Sequence, residues 1–157
     1  MTDTQFFTTA YDRKSCDIGI VHIGYGAFHR AHQAVYVDDY MQATGDLRWG
    51  IAAVNLRASE SQSFAEAAGA ERGYLLKSIA ADGTQEFRSI RSHMDFVDAA
   101  TDLDAALDLL SRPSVHVASM TVTESGYYFK DDWSLDLSAG PVSDELNGGG
   151  LATIYGF

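Results

Sequence analysis

The feature that most constrains this chain is a change of hydrophobic period at residue 24. Asp17-Ile18-Gly19-Ile20-Val21-His22-Ile23 is a nearly continuous apolar run ending at Gly24, which is how a strand buried on both faces of a parallel sheet reads. After Gly24-Tyr25-Gly26 the pattern changes: Ala27, Ala31, Ala34, Val37 and Met41 recur at helical spacing, a stripe that can lie on a sheet. The order is strand, glycine turn, helix, and it predicts an α/β fold.

A helix that starts just past such a strand points its free N–H groups and the positive end of its dipole over the turn, where pyrophosphate is the usual occupant. Gly24 suits the tight turn and Gly26 the close approach of phosphates. The third glycine of the G-x-G-x-x-G pattern is replaced by His29, so the generic fingerprint is incomplete, and taken alone it leaves a purely structural turn open. His29 and His32 stand three apart on one helix, a spacing that suits a shared metal, but no cysteine or carboxylate pair nearby completes a ligand set. No metal is expected.

Trp49-Gly50-Ile51-Ala52-Ala53-Val54-Asn55-Leu56 reads as the second buried strand, after a Gly45-Asp46 turn that closes the first helix. An acidic residue near the end of such a strand commonly binds the adenosine ribose. Here that place holds Asn55, followed by Arg57 and then Glu60. Glu60 suits a solvated carboxylate favoured by the dipole of a helix over residues 60–68, and its other reading, against the ribose, comes only with the resemblance below. Arg57 suits adenine stacking or a 2′-phosphate, which leaves NADP open beside NAD.

Tyr74 to Ala80 and Gln85 to Arg91 flank Ala81-Asp82-Gly83-Thr84, a strong hairpin signal, read as an antiparallel addition to the sheet. Thr101 followed by Asp104 resembles a capping box for a helix striped by Leu103, Ala106, Leu107 and Leu110 and stopped at Arg112-Pro113. The next strand, Val115 to Val122, runs into Thr123-Glu124-Ser125-Gly126-Tyr127. Ligands of open α/β sheets bind outside the carboxyl ends of strands, so this segment is expected beside a bound dinucleotide, or else to be a capped loop with Glu124 in solvent.

Two strings carry a resemblance. Ile20-Val21-His22-Ile23-Gly24-Tyr25-Gly26-Ala27-Phe28-His29-Arg30-Ala31-His32-Gln33-Ala34 is similar to the N-terminal signature of the mannitol dehydrogenase family, and Thr121-Val122-Thr123-Glu124-Ser125-Gly126-Tyr127 resembles its second hallmark. Trp49-Gly50-Ile51 and Asn55-Leu56-Arg57 extend the likeness. The resemblance implies a Rossmann-like, doubly wound, mainly parallel sheet with an added antiparallel hairpin, and an incomplete N-terminal dinucleotide-binding domain over 1–157, truncated before a helical catalytic domain. It implies NAD as cofactor, held by Gly24, Gly26, Ala27, Phe28, Arg57, Glu60, Thr123 and Glu124. The implied activity is hydride transfer between that cofactor and a secondary alcohol of a polyol or hexuronate. The lysine base and the Asn and His groups that the resemblance implies belong to the later domain, and Lys14, Lys77 and Lys130 match no such motif. The chain is therefore expected to be a fragment, inactive alone.

Composition narrows the alternatives. With 22 acidic against 11 basic residues the net charge is −11, which repels phosphate backbones and anionic lipid, and neither Arg13-Lys14 nor Arg88 with Arg91 makes a basic patch. A single cysteine, Cys16, and no apolar leader or spanning run make the cytoplasm the expected compartment. Two other readings compete: a non-catalytic nucleotide-binding or interaction module, and an S-adenosylmethionine site. The two family strings weigh against the latter.

Overall fold

The computed structural model describes residues 4–70, 73–151 and 153–156; the apolar terminal Phe157 lies outside them. In chain order the elements are β1 (Thr4–Thr8), β2 (Ile18–Ile23), α1 (Ala27–Ala31), α2 (Gln33–Thr44), β3 (Gly50–Asn55), α3 (Ser61–Ala68), β4 (Tyr74–Ile79), β5 (Gln85–Ile90), β6 (His93–Asp98), α4 (Leu103–Leu110), β7 (Val117–Met120) and α5 (Gly140–Leu146). They form a four-stranded parallel sheet in the order β6-β3-β2-β7 and a three-stranded sheet in the order β1-β5-β4. Among the described residues no helix is long and apolar enough to cross a membrane.

The continuous apolar runs of β2 and β3 follow from burial on both faces. Val21, Ile23, Ala52 and Val54 pack with Ala106 and Leu109 of α4, whereas Ile20 and Ile51 pack with Ala34 of α2 and Ile90 of β5. The sheet is thus doubly wound, with α4 on one side and α2 on the other.

Several expectations are corrected by tertiary context. The first helix is two helices, broken at His32 (φ −126°, ψ −82°), and its buried positions are His29, Ala34, Asp38 and Met41 rather than a stripe through Ala27 and Ala31. α4 is capped by Asp102, whose carboxylate accepts from Ala105 N at 3.0 Å, because the Thr101 hydroxyl is turned to the Asp98 carbonyl. The buried face of α4 carries Ala106 and Leu109, and Leu107 is exposed. The hairpin β4–β5 forms as expected but does not extend the parallel sheet: β5 pairs with β1 instead, parallel and in register from Thr4↔Gln85 to Thr8↔Ser89. β6 shows no clear alternation and is identified only by its pairing with β3.

The small sheet is fastened to α2 through a carboxylate. Asp38 is fully buried and accepts from Tyr11 Oη at 2.5 Å, Thr9 Oγ1 at 3.3 Å and the Arg91 N–H at 3.1 Å, while Arg88 lies 3.2 Å away. Tyr11 is harder to ionise, through burial first and its hydrogen bond to Asp38 second. Such a group is tolerated inside only because donors surround it.

Removing the Asp38 charge strands these donors. Asp38→Asn is expected to lower the urea unfolding free energy by about 3 kcal/mol. Asp39→Asn, which removes only the exposed partner of Arg88, is expected to lower it by no more than about 1 kcal/mol. Equal losses in the two variants would count against Asp38 as the fastening point.

Candidate functional site

The chain order of the parallel sheet places a crevice between β2 and β7. From β2 the chain moves to β3 and then β6 on one side, and it returns to β7 on the other, so the strand order reverses at that boundary. Ligands of open α/β sheets collect at such a point, outside the carboxyl ends. Ile23 ends β2 in register with Val54 and Met120, which brings the turn at residues 24–26 and the loop after Met120 to adjacent strand ends.

Gly24 leaves β2 with φ +102°, a conformation that favours glycine, and its N–H still donates to Val54 O at 2.7 Å. Gly26 has ordinary angles (φ −72°, ψ 164°), and a Cβ built there meets nothing within 4 Å. The space above Gly26 is therefore free of protein, which is what close approach of a ligand to the backbone needs. Ala27 and Phe28 open α1. Phe28 stacks on His32 at 4.4 Å and lines a cleft of about 730 Å³ that runs along α2 with Tyr36 and Tyr40.

The remaining predicted residues sit on exposed ends. Asn55, buried at the end of β3, donates to Asp98 Oδ1 at 2.8 Å and to Arg57 O at 3.0 Å, and it accepts from Arg57 N. It shapes the turn in the place where a ribose-binding carboxylate is common. Arg57 and Glu60 form an exposed ion pair at 3.0 Å. Thr123 and Glu124 follow β7, with Thr123 Oγ1 3.3 Å from Ser125 Oγ and Glu124 opening a short 3-10 turn.

Beneath the turn lies a histidine cluster that the sequence does not announce. His22, His29 and His93 are all buried; the His22 and His29 rings stack at 3.6 Å, and His29 Nε2 lies 2.8 Å from His93 Nε2. Gln33 Oε1, 2.9 Å from His29 Nδ1, can only accept, so His29 Nδ1 donates and its Nε2 accepts from His93. That assignment leaves His93 Nδ1 a buried lone pair with no partner among the described residues. His22 is held by the hydroxyls of Ser119 at 2.9 Å and Thr121 at 3.3 Å, both next to it on β7 or just beyond. His29 and His32 do not converge, since His32 Nδ1 faces the Phe28 carbonyl. Among the described residues no group of His, Cys, Asp or Glu is arranged to hold a metal.

Burial pushes the protonation of all three imidazoles well below the ordinary histidine range, and for His93 the nearby His29, His22, Arg13 and Arg30 add to it. The unfolded chain then binds more protons than the folded one below about pH 6.5. Stability from the neutral cluster is whole above that value and is lost as the pH falls toward the depressed folded values. The urea midpoint is expected to drop between pH 7 and pH 5, and to drop less in His93→Gln. An identical pH slope in that variant would refute the assignment.

With the geometry in place, comparison with known proteins identifies the lineage. A profile of the mannitol dehydrogenase Rossmann domain matches residues 18–151. Mannitol 2-dehydrogenase of Pyricularia oryzae is 34% identical over 131 residues, which are 83% of this chain and 26% of that protein. D-arabinitol 4-dehydrogenase of Klebsiella pneumoniae is 36% identical over 137 residues, 87% of this chain and 30% of that protein. The Pseudomonas fluorescens mannitol 2-dehydrogenase ternary complex with NAD and D-mannitol superposes with a TM-score of 0.85 at 30% identity, covering 97% of this chain and 31% of that one. A substrate-free D-sorbitol dehydrogenase gives 0.81 at 32% identity, covering 98% and 32%. The chain thus spans from about a quarter to a third of the length of these relatives. It belongs to the mannitol dehydrogenase family, whose Rossmann domain it matches in sequence and in fold.

Proposed function

We propose that this chain is the dinucleotide-binding part of an NAD-dependent oxidoreductase that acts on a secondary alcohol of a polyol. The carrying observation is the left-handed Gly24 that ends β2 at the reversal of strand order, with Gly26 open above it. Gly24, Gly26, Ala27 and Phe28 hold the pyrophosphate in this reading, Glu60 takes the adenosine ribose hydroxyls, Arg57 flanks the adenine, and Thr123 and Glu124 border the nicotinamide ribose. When bound, the nicotinamide supplies hydride acceptance and donation. Polyol is favoured over hexuronate because the relatives named above are mannitol, arabinitol and sorbitol dehydrogenases.

The chain's own contribution in this reading is binding and orientation. Lys14 lies in an exposed turn, Lys77 of β4 lies over the Phe87 ring of β5, and Lys130 is 4.0 Å from Asp136. None of the three borders the glycine turn in sequence or strand register, so this chain is assigned no general base.

Calorimetric titration with NAD tests the reading. Saturable binding is expected, and Gly26→Val is expected to weaken it at least about tenfold by occupying the space the phosphates need. A Cβ at that position meets no protein atom, so the variant is expected to keep the parent's circular dichroism. Undiminished affinity in the folded variant would remove the pyrophosphate from this turn. Glu60→Ala is expected to weaken NAD several-fold while leaving NADP less affected, and equal losses would take Glu60 out of the ribose site.

A further inference from the structure

His22 is the one ionisable side chain of β2, and it stands opposite Ser119 in the register with β7. The pair lies at the boundary where the strand order reverses, and it belongs to a continuous line of hydrogen bonds whose donors can all point one way. His93 Nε2 donates to His29 Nε2 (2.8 Å), His29 Nδ1 to Gln33 Oε1 (2.9 Å) and Gln33 Nε2 to Ser119 Oγ (3.1 Å). Ser119 Oγ donates in turn to His22 Nδ1 (2.9 Å), and His22 Nε2 to Thr121 Oγ1 (3.3 Å). Ser119 has a single hydrogen, and its contact to His22 is shorter than the 3.3 Å to Gln33 Oε1. Each link is satisfied with all three imidazoles neutral.

The line joins the two lips of the crevice. His29 lies in α1, three residues past Gly26. Thr121 is the first residue beyond the β2–β7 ladder, which ends at Ile23↔Met120, and it stands two residues before Thr123. Strand pairing fixes β2 and β7 up to their carboxyl ends, and past those ends both lips hang on the same side chains. Apolar side chains would fill this space at a lower cost of burial, since His22, His29 and His93 are all buried and His93 Nδ1 has no partner among the described residues. What the polar line adds is direction, because a hydrogen bond weakens steeply with small changes of distance and angle.

We propose that His22, His29, Gln33 and Ser119 are positioning residues for the dinucleotide, a brace that fixes the separation of the two lips; the inference rests on the dinucleotide reading above. In that reading the pyrophosphate lies at residues 24–28 and the nicotinamide ribose at Thr123, so one ligand of fixed length spans both lips. A gap set before binding spares the ligand the cost of ordering the loop after β7. The four side chains act through the backbone they hold.

Calorimetry with NAD, which reaches both lips, and with ADP, which reaches only the glycine lip, tests the brace. Ser119→Ala cuts the line at its middle and Gln33→Met cuts the preceding link. Each variant is expected to raise the NAD Kd about tenfold and the ADP Kd by less than about twofold. Equal weakening of the two ligands, or an unchanged NAD Kd in both variants, would overturn the proposal. Nitrogen-15 spectra of the imidazoles test it in the parent chain without any substitution. The His22 signals are expected to move on saturation with NAD, although His22 is buried, and signals left in place would also overturn it. Absence of NAD binding by the parent removes the dinucleotide reading and the brace together, whereas NAD binding with equal losses of NAD and ADP in the variants removes the brace alone.

Discussion

Burial of both faces of β2 leaves its backbone groups no water to bond with, and the rest of the fold answers that constraint. Every N–H and C=O along Ile20–Ile23 must find a neighbouring strand, and here both neighbours, β3 and β7, run parallel to it. Parallel neighbours demand crossovers, and crossovers place α2 on one face and α4 on the other. The reversal of strand order beside β2 follows from where those crossovers lead, and the glycine turn lies at that reversal because β2 ends there.

The interior on the α2 side is unusually polar for a small domain. Asp38 draws the N-terminal segment and the small sheet onto the helix, while His22, His29 and His93 join β2, α1 and β6. Each group is costly to bury alone and acceptable in company. Both clusters have a geometric demand that plain apolar packing lacks, since a hydrogen bond is lost by a shift that an apolar contact absorbs. They tie the seating of α1 and α2 to the position of the small sheet and of β6, and so to the shape of the turn above.

Much of this was legible in the sequence. The run at 17–23, the glycines at 24 and 26 and the two family strings pointed to the strand, the turn and the lineage, because such signals are local and carry their own periodicity. The hairpin was legible for the same reason, through its Asp-Gly turn. Its partner was not: β1 is short and exposed, and its pairing with β5 joins residues some eighty positions apart. β6 was missed because His93, Asp95 and Phe96 point to environments that only their neighbours define. Asn55 looked like a missing carboxylate, and its bonds to Asp98 and Arg57 show a turn-shaping role instead.

The sequence by itself determined an acidic α/β chain with a strand–glycine–helix unit at its head, since hydrophobic period and glycine placement act between neighbours in the chain. Only the tertiary structure decided that the hairpin leaves the main sheet, that Asp38 becomes a buried hub, and that His29 meets His93 across 64 positions. Those outcomes depend on which distant groups share a space from which water is excluded, and hydrogen bonds, burial and charge take their strength from that exclusion.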